Sequence, residues 1–245
     1  MQSLMPQLPQ NSHSLNTSRT EAKQRLLKLL KEKQRRESQN HIATVFPETG
    51  PLRRELYPKH MEFFEASKLH KEILFLSANR VGKTVAGGYA TSVHLTGEYP
   101  DWWPGHKFEY PITALAAGDT GNTTRDILQN KLLGKFGEEG TGLIPGARIA
   151  GLTRKMGIPE AYEEIKVKHV SGGISRLWLR SYEQGRKVFQ GFEMDWIWLD
   201  EEVPQEVYDE ALVRTMTTNG RVAMTYTPIM GMTPLTLSFI EDAQP

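Results

Sequence analysis

The sequence predicts an α/β fold with a mainly parallel central sheet flanked by helices, and three apolar runs predict it. Residues 73–76 (Ile-Leu-Phe-Leu), 196–199 (Trp-Ile-Trp-Leu) and 221–226 (Arg-Val-Ala-Met-Thr-Tyr) are short and nearly unbroken. Runs of this kind make strands buried on both faces, the habit of parallel sheets. Each passes directly into small or polar residues: 77–84, then Asp200-Glu201-Glu202, then Thr227-Pro228. In open α/β sheets ligands bind beyond the carboxyl ends of strands, so three such ends mark a candidate site.

The totals agree with a globular chain. Its 245 residues suffice for one large α/β domain with an appendage, and 38% hydrophobic with 24% charged residues is ordinary for a soluble protein. Formal net charge is +1, so any contact with nucleic acid is expected from a local patch rather than a global field. Cysteine is absent, which excludes disulfides, thiolate metal sites and a cysteine nucleophile. The apolar runs are too short to span a bilayer and the polar N-terminus lacks a signal-peptide core, so a soluble intracellular protein is expected.

Residues 1–17 are rich in Gln, Ser, Asn and Pro and are expected to be flexible. Ser18 with Glu21 forms a capping box for a helix over 19–37. Ala22, Leu26, Leu29 and Leu30 share one face of it, and the other faces carry eight Lys or Arg against three Glu. Such a basic arm can lie on DNA phosphates, on an acidic partner or on its own domain. The expected division is an arm over 1–45 and a nucleotide-binding domain over 46–245. Residues 38–51 read as a polar linker. Tyr57-Pro58-Lys59-His60 leads into a short helix whose Phe63 and Phe64 belong to the core. Tyr57, Pro58 and His60 are placed to stack on or hydrogen-bond a base.

The strand at 73–76, the loop and a helix-compatible segment after Gly82-Lys83-Thr84 make the context that a phosphate-binding loop demands. Backbone N–H groups of Ser77, Ala78, Asn79, Arg80, Val81 and Gly82 can curl round phosphate oxygens, and the helix N-terminus adds partial positive charge. Lys83 can reach the outer phosphates, and the Thr84 hydroxyl can hold Mg²⁺. The loop's first glycine is replaced by Ser77. Beyond it, the Trp102-Trp103 pair reads as a plug into the core. A strand is expected at 112–117 and a helix at 122–133, with Thr123, Thr124 and Arg125 near a helix start that welcomes anions. Residues 131–164 read as irregular, 165–170 and 176–181 as a hairpin, and 187–189 as a further short strand.

Asp200 falls at the end of its buried strand, where it can bind Mg²⁺ beside Thr84, and Glu201 can polarise a water for in-line attack on a γ-phosphate. Acids avoid such positions unless they have a task. Glu202 reads as an ordinary solvated acid. A strand over 221–226 beside that one would bring Thr225 and Thr227 to the same site.

In this order the motifs resemble those of the ATPase domain of the large terminase subunit of tailed bacteriophages, a P-loop NTPase of the ASCE/RecA-helicase-like kind. The matching residues are Tyr57-Pro58, His60 and Phe63, then Ser77 to Thr84, Gln190-Gly191-Phe192, Asp195 to Glu202, and Thr225-Tyr226-Thr227-Pro228 with Gly231. The resemblance implies ATP and Mg²⁺ as ligands and ATP hydrolysis driving double-stranded viral DNA into a procapsid. It implies Lys83 and Glu201 as catalytic residues, Thr84 and Asp200 at the metal, and Thr225, Tyr226 and Thr227 as a coupling motif. Arg80 would be a phosphate sensor or finger, with Arg125 or Arg154 acting in trans as the alternatives. Portal protein and small terminase subunit would be partners, in a homo-oligomeric ring on the procapsid in the host cytoplasm, with the isolated chain a monomer. Lys59-His60 departs from the glutamine many such motors carry. The family's nuclease domain is expected to be absent from this chain, and with it nuclease activity. A helicase or generic P-loop ATPase and a nucleotide-binding assembly scaffold with weak hydrolysis are the competing readings.

Overall fold

A computed structural model describes residues 21–32, 41–191 and 193–242, residue 242 without its side chain. The expected flexible stretch 1–17, the Ser18 cap, the ends of the arm helix and Phe192 lie outside the described residues. The chain divides into two units between residues 38 and 39. In the first, residues 21–32 form a helix, α1.

The second unit is built on a seven-stranded sheet in the order β1-β7-β6-β2-β5-β4-β3. Its strands are β1 (Glu72–Leu76), β2 (Thr113–Gly118), β3 (Ile149–Arg154), β4 (Tyr162–Lys168), β5 (Ile174–Ser181), β6 (Trp196–Asp200) and β7 (Arg221–Tyr226). The first five in sheet order run parallel, and β4 and β3 extend them antiparallel. The three apolar runs are therefore neighbours: Leu199 pairs with Met224 in register, and Phe75 with Thr225.

Because side chains alternate along a strand, the sheet has two faces and each covers a core. Trp196, Trp198, Ala223 and Phe75 pack with α2 (Pro58–Leu69) and α3 (Lys83–Thr96). Ile197, Leu199, Val222 and Met224 pack with α6 (Gln205–Thr215) and α7 (Pro234–Asp242). Pro58 opens α2, where its missing N–H costs nothing. Helix α3 is bounded by left-handed glycines, Gly82 at φ 89° and Gly97 at φ 71°. Inside it Gly87 and Gly88 oppose helix formation. Packing explains Gly87, since a Cβ there would meet the Trp198 indole at 2.1 Å. Trp103 is buried in the same core, as a loop plug.

Four local expectations differ from what is found. The stretch 38–51 is more than a linker: it contains a 3₁₀ turn (His41–Thr44), and Ile42 and Phe46 are buried. The Phe46 ring meets Tyr57, Phe64 and Tyr89 at 5.3–5.7 Å. Strand β3 lies within the stretch read as irregular, because an edge strand half open to solvent, with breaks in register, carries no clean alternation. Residues 187–189 belong to a 3₁₀ turn (Arg186–Phe189) whose Phe189 inserts into the α6-side core. The helix after β2 begins with α4 (Gly121–Thr123), passes through a π-helical segment (Thr124–Gln129) and ends as α5 (Asn130–Leu133).

Candidate functional site

The loop from Ser77 to Gly82 leaves β1 and turns sharply, with Arg80 in the left-handed region at φ 64° and Gly82 behind it. That turn brings Lys83 back over its own loop. The Lys83 ammonium donates to the carbonyls of Ser77 at 2.9 Å and Ala78 at 2.6 Å, and to Thr227 Oγ1 at 2.7 Å. Thr227 Oγ1 also lies 2.8 Å from Asn79 Oδ1. Burial lowers the Lys83 pKa, and the nearby charges of Glu201 and Asp200 oppose that shift. Two segments more than a hundred residues apart thus share one electrostatic neighbourhood.

Asp200 ends β6 and is 1% exposed. Thr84 Oγ1 donates to its Oδ2 at 3.0 Å, and Thr225 Oγ1 donates to its Oδ1 at 2.5 Å. The Trp198 indole N–H in turn donates to Thr225 Oγ1 at 2.7 Å, and Tyr182 O–H donates to the Asp200 carbonyl at 2.8 Å. Burial pushes the Asp200 carboxyl up to about 7 against the pull of these hydroxyls. A buried carboxylate that favours its proton is one that a cation would stabilise in charged form. The donor set, one hydroxyl and one carboxylate from different elements, suits Mg²⁺, which takes few protein ligands and completes its shell with phosphate and water. Among the described residues no group of three or more His, Cys, Asp or Glu gathers to hold a metal by itself.

Glu201 follows at φ 67°, a left-handed conformation rare for a residue with a side chain, and its N–H donates to the Thr225 carbonyl at 3.1 Å. Strain of this sort costs about 1–3 kcal/mol and persists where surroundings enforce it. Glu202 is not the plain solvated acid its position suggested, for its Oε2 accepts from the Met230 backbone N–H at 3.2 Å.

Beside the loop lies a cavity of about 340 Å³ whose lining includes Phe46, Tyr57, His60, Arg80, Val81 and Val85. His60 is nearly buried. Burial lowers its pKa, opposed by hydrogen bonding to the Gly82 and Val81 backbone. Its Nε2 lies 3.1 Å from where a Gly82 Cβ would stand, so the ring also braces the loop. Phe63 and Phe64 are core.

The other candidates sit elsewhere. Arg125 donates to Asp126 and to the Pro159 carbonyl, and the Arg154 guanidinium lies over the Phe136 ring at 5.0 Å. The helix start near Arg125 does not wait for an anion: Glu183 Oε1 already accepts from Gly121 N–H at 2.7 Å, and Thr123 and Thr124 spend their hydroxyls on local carbonyls. Tyr226 lies on the opposite face of the sheet, its hydroxyl 2.9 Å from that of Thr236. Sequence reasoning missed Tyr182 and Trp198, whose roles as props under Asp200 depend on partners far along the chain.

Residues 74–244 match the family model for the terminase large subunit, T4likevirus-type, N-terminal. The terminase large subunit of Salmonella phage P22 is 31% identical over 206 residues, which cover 76% of this chain and 41% of that protein. The chain therefore spans less than half the length of this curated relative. Among solved structures, the large terminase of a thermophilic bacteriophage superposes with a TM-score of 0.50 at 13% identity, over 84% of this chain and 42% of that one. This last likeness is one of fold, and the fold is that of an α/β P-loop NTPase.

Proposed function

The chain belongs to the T4likevirus-type terminase large subunit N-terminal family, and on that premise we propose that it hydrolyses ATP to drive double-stranded viral DNA into a procapsid. The observation that carries this reading is the meeting of Thr84 and Asp200 at 3.0 Å, with Lys83 within the field of Asp200 and Glu201. Phosphoryl transfer needs little covalent help and much positioning, so a cation-lined loop facing a pair of acids is suited to it.

In this reading the loop N–H groups and Lys83 bind the phosphates of ATP. Glu201 accepts the proton of a water whose oxygen bonds to the γ-phosphorus as the bond to the bridging oxygen of ADP breaks. Thr84 and Asp200 would hold Mg²⁺, which would neutralise phosphate charge when bound. Tyr57 and His60 line a cavity of a size for the base, and Arg80 borders both cavity and loop. Thr225, Tyr226 and Thr227 join the site to α7 through the Tyr226–Thr236 hydroxyl contact, which supports a coupling role. Arg125 and Arg154 remain the arginines to test in trans within a ring of subunits. Portal protein, small subunit, a procapsid in the host cytoplasm and the division at 45/46 belong to the same proposal. Among the described residues no helix is long and apolar enough to cross a membrane.

The test is steady-state ATP hydrolysis with and without Mg²⁺, alongside binding of a fluorescent ATP analogue. Glu201→Gln is expected to lower kcat by about 10²–10⁴-fold while leaving nucleotide bound. Lys83→Ala is expected to lose both. Wild-type rates in both variants would sink the proposal.

A further inference from the structure

Of the three successive acids Asp200, Glu201 and Glu202 at the end of β6, the proposed mechanism uses two. Glu202 is left over, and its surroundings are unusual. Oε2 accepts from Met230 N–H at 3.2 Å, and Oε1 is buried with no hydrogen-bond partner among the described residues. A buried carboxylate oxygen without a donor is costly, so something must offset its placement. The charge also acts on Tyr226: burial pushes that phenol up and Glu202 adds to the shift.

The segment that Glu202 grips has little else to hold it. Among the described residues, the backbone bonds of 228–232 are short turn bonds, Ile229 N–H to Thr227, Gly231 N–H to Pro228 and Thr233 N–H to Gly231. Apolar burial does not fix them, since Ile229 is 72% exposed, Met230 78% and Met232 56%. Their anchors are Thr227 at one end, bound to Lys83, and Met230 N–H, bound to Glu202. Between the two anchors on the acid side stands Glu201, in its left-handed conformation and tied by its own N–H to Thr225. Glu201 is thus bracketed by two ties to the β7 segment, one through its own backbone and one through its neighbour's side chain.

We propose that Glu202 is a positioning residue, whose carboxylate latches residues 228–232 to the end of β6 and so holds Glu201 in register with Thr227. This rests on the proposed hydrolysis for its consequence, but the latch itself is a property of the fold. Releasing it leaves Lys83 on the Ser77 and Ala78 carbonyls and Thr84 on Asp200, contacts that do not pass through the latched segment. The loss then falls on turnover rather than on nucleotide binding.

Hydrogen exchange and kinetics together decide the matter. In Glu202→Ala the Met230 amide is expected to exchange about tenfold faster, with amides of β6 unchanged. The kcat is expected to fall about tenfold, as a small misplacement of a reacting group does, with analogue Kd within about twofold. Glu202→Gln keeps an oxygen that accepts from Met230 N–H, and should hold both exchange and kcat within about threefold of wild type. Unchanged exchange at Met230 in Glu202→Ala would overturn the latch. Faster exchange with undiminished kcat, or a loss in Glu202→Gln equal to that in Glu202→Ala, would overturn the positioning role. Failure of the underlying ATPase reading looks different: wild type and Lys83→Ala would turn over ATP alike, while exchange at Met230, read without nucleotide, still decides the latch.

Discussion

Two tryptophans two residues apart on β6 serve opposite purposes. Trp198, near the carboxyl end, donates its indole N–H to Thr225, which donates to Asp200. Trp196, toward the amino end, donates to Thr91 at 2.9 Å and lies 4.4 Å from the ring of His94. Asp200 and His94 are both buried ionisable groups on the same side of the sheet. Asp200 is ringed by hydroxyls within the field of an ammonium. His94 is walled by Tyr99, Trp103, Phe108 and Trp196, with a hydrogen bond to the Tyr99 hydroxyl and its Nε2 unpartnered among the described residues. Burial alone therefore does not distinguish a site from a core. Movable donors at the carboxyl ends of parallel strands do, because that is where chain turns leave polar groups converging.

Three perturbations sharpen the contrast. The largest effect is expected from Gly87→Ala, which drives a methyl into the Trp198 indole. Overpacking of this kind costs about 1–3 kcal/mol, and here it also disturbs the prop under Asp200. A lower denaturation midpoint together with weakened analogue binding is expected; a variant as stable as wild type would show that Trp198 moves freely.

The second concerns Asp200 itself. Its folded pKa, pushed up to about 7, lies above the ordinary value of 3.8, so the folded chain binds the extra proton between those limits. Stability is then lost as pH rises from 4 to 7. Without divalent cation at pH 8, Asp200→Asn should raise Tm by several degrees, the gain shrinking toward pH 4. An unchanged or lower Tm would mean that the carboxylate is well satisfied as it stands.

His94 gives the opposite sign and the smallest effect. Burial holds its pKa well below 6.5, so the unfolded chain alone takes the proton and stability falls as pH drops below 6.5. His94→Gln should flatten that slope by up to about 1.4 kcal/mol per pH unit, read from urea midpoints at pH 7 and 5. A slope identical to wild type would assign the acid sensitivity to other histidines.

Much of this was legible before folding. The three apolar runs became adjacent parallel strands, and Lys83, Thr84, Asp200, Glu201, Thr225 and Thr227 were nameable from the polar residues at the end of each run. Strand β3 was not, because an edge strand with breaks in register carries no periodic signature. The anchoring of Phe46 was hidden in a polar stretch, since one aromatic among polar residues says nothing of which rings await it. Glu202 looked like a surface acid because its partner is a backbone N–H 28 residues away.

The sequence by itself determined the order of the elements and the chemistry at their ends, since hydrophobic periodicity and turn residues act over a few neighbouring positions. Only the tertiary structure decided which of those ends meet. The sheet order β1-β7-β6 sets Thr84 against Asp200 and ties Glu202 to Met230, and the β2–β5 pairing fills the α4 start with Glu183. Such contacts join residues far apart in the chain, and strand pairing and close packing specify them where local pattern cannot.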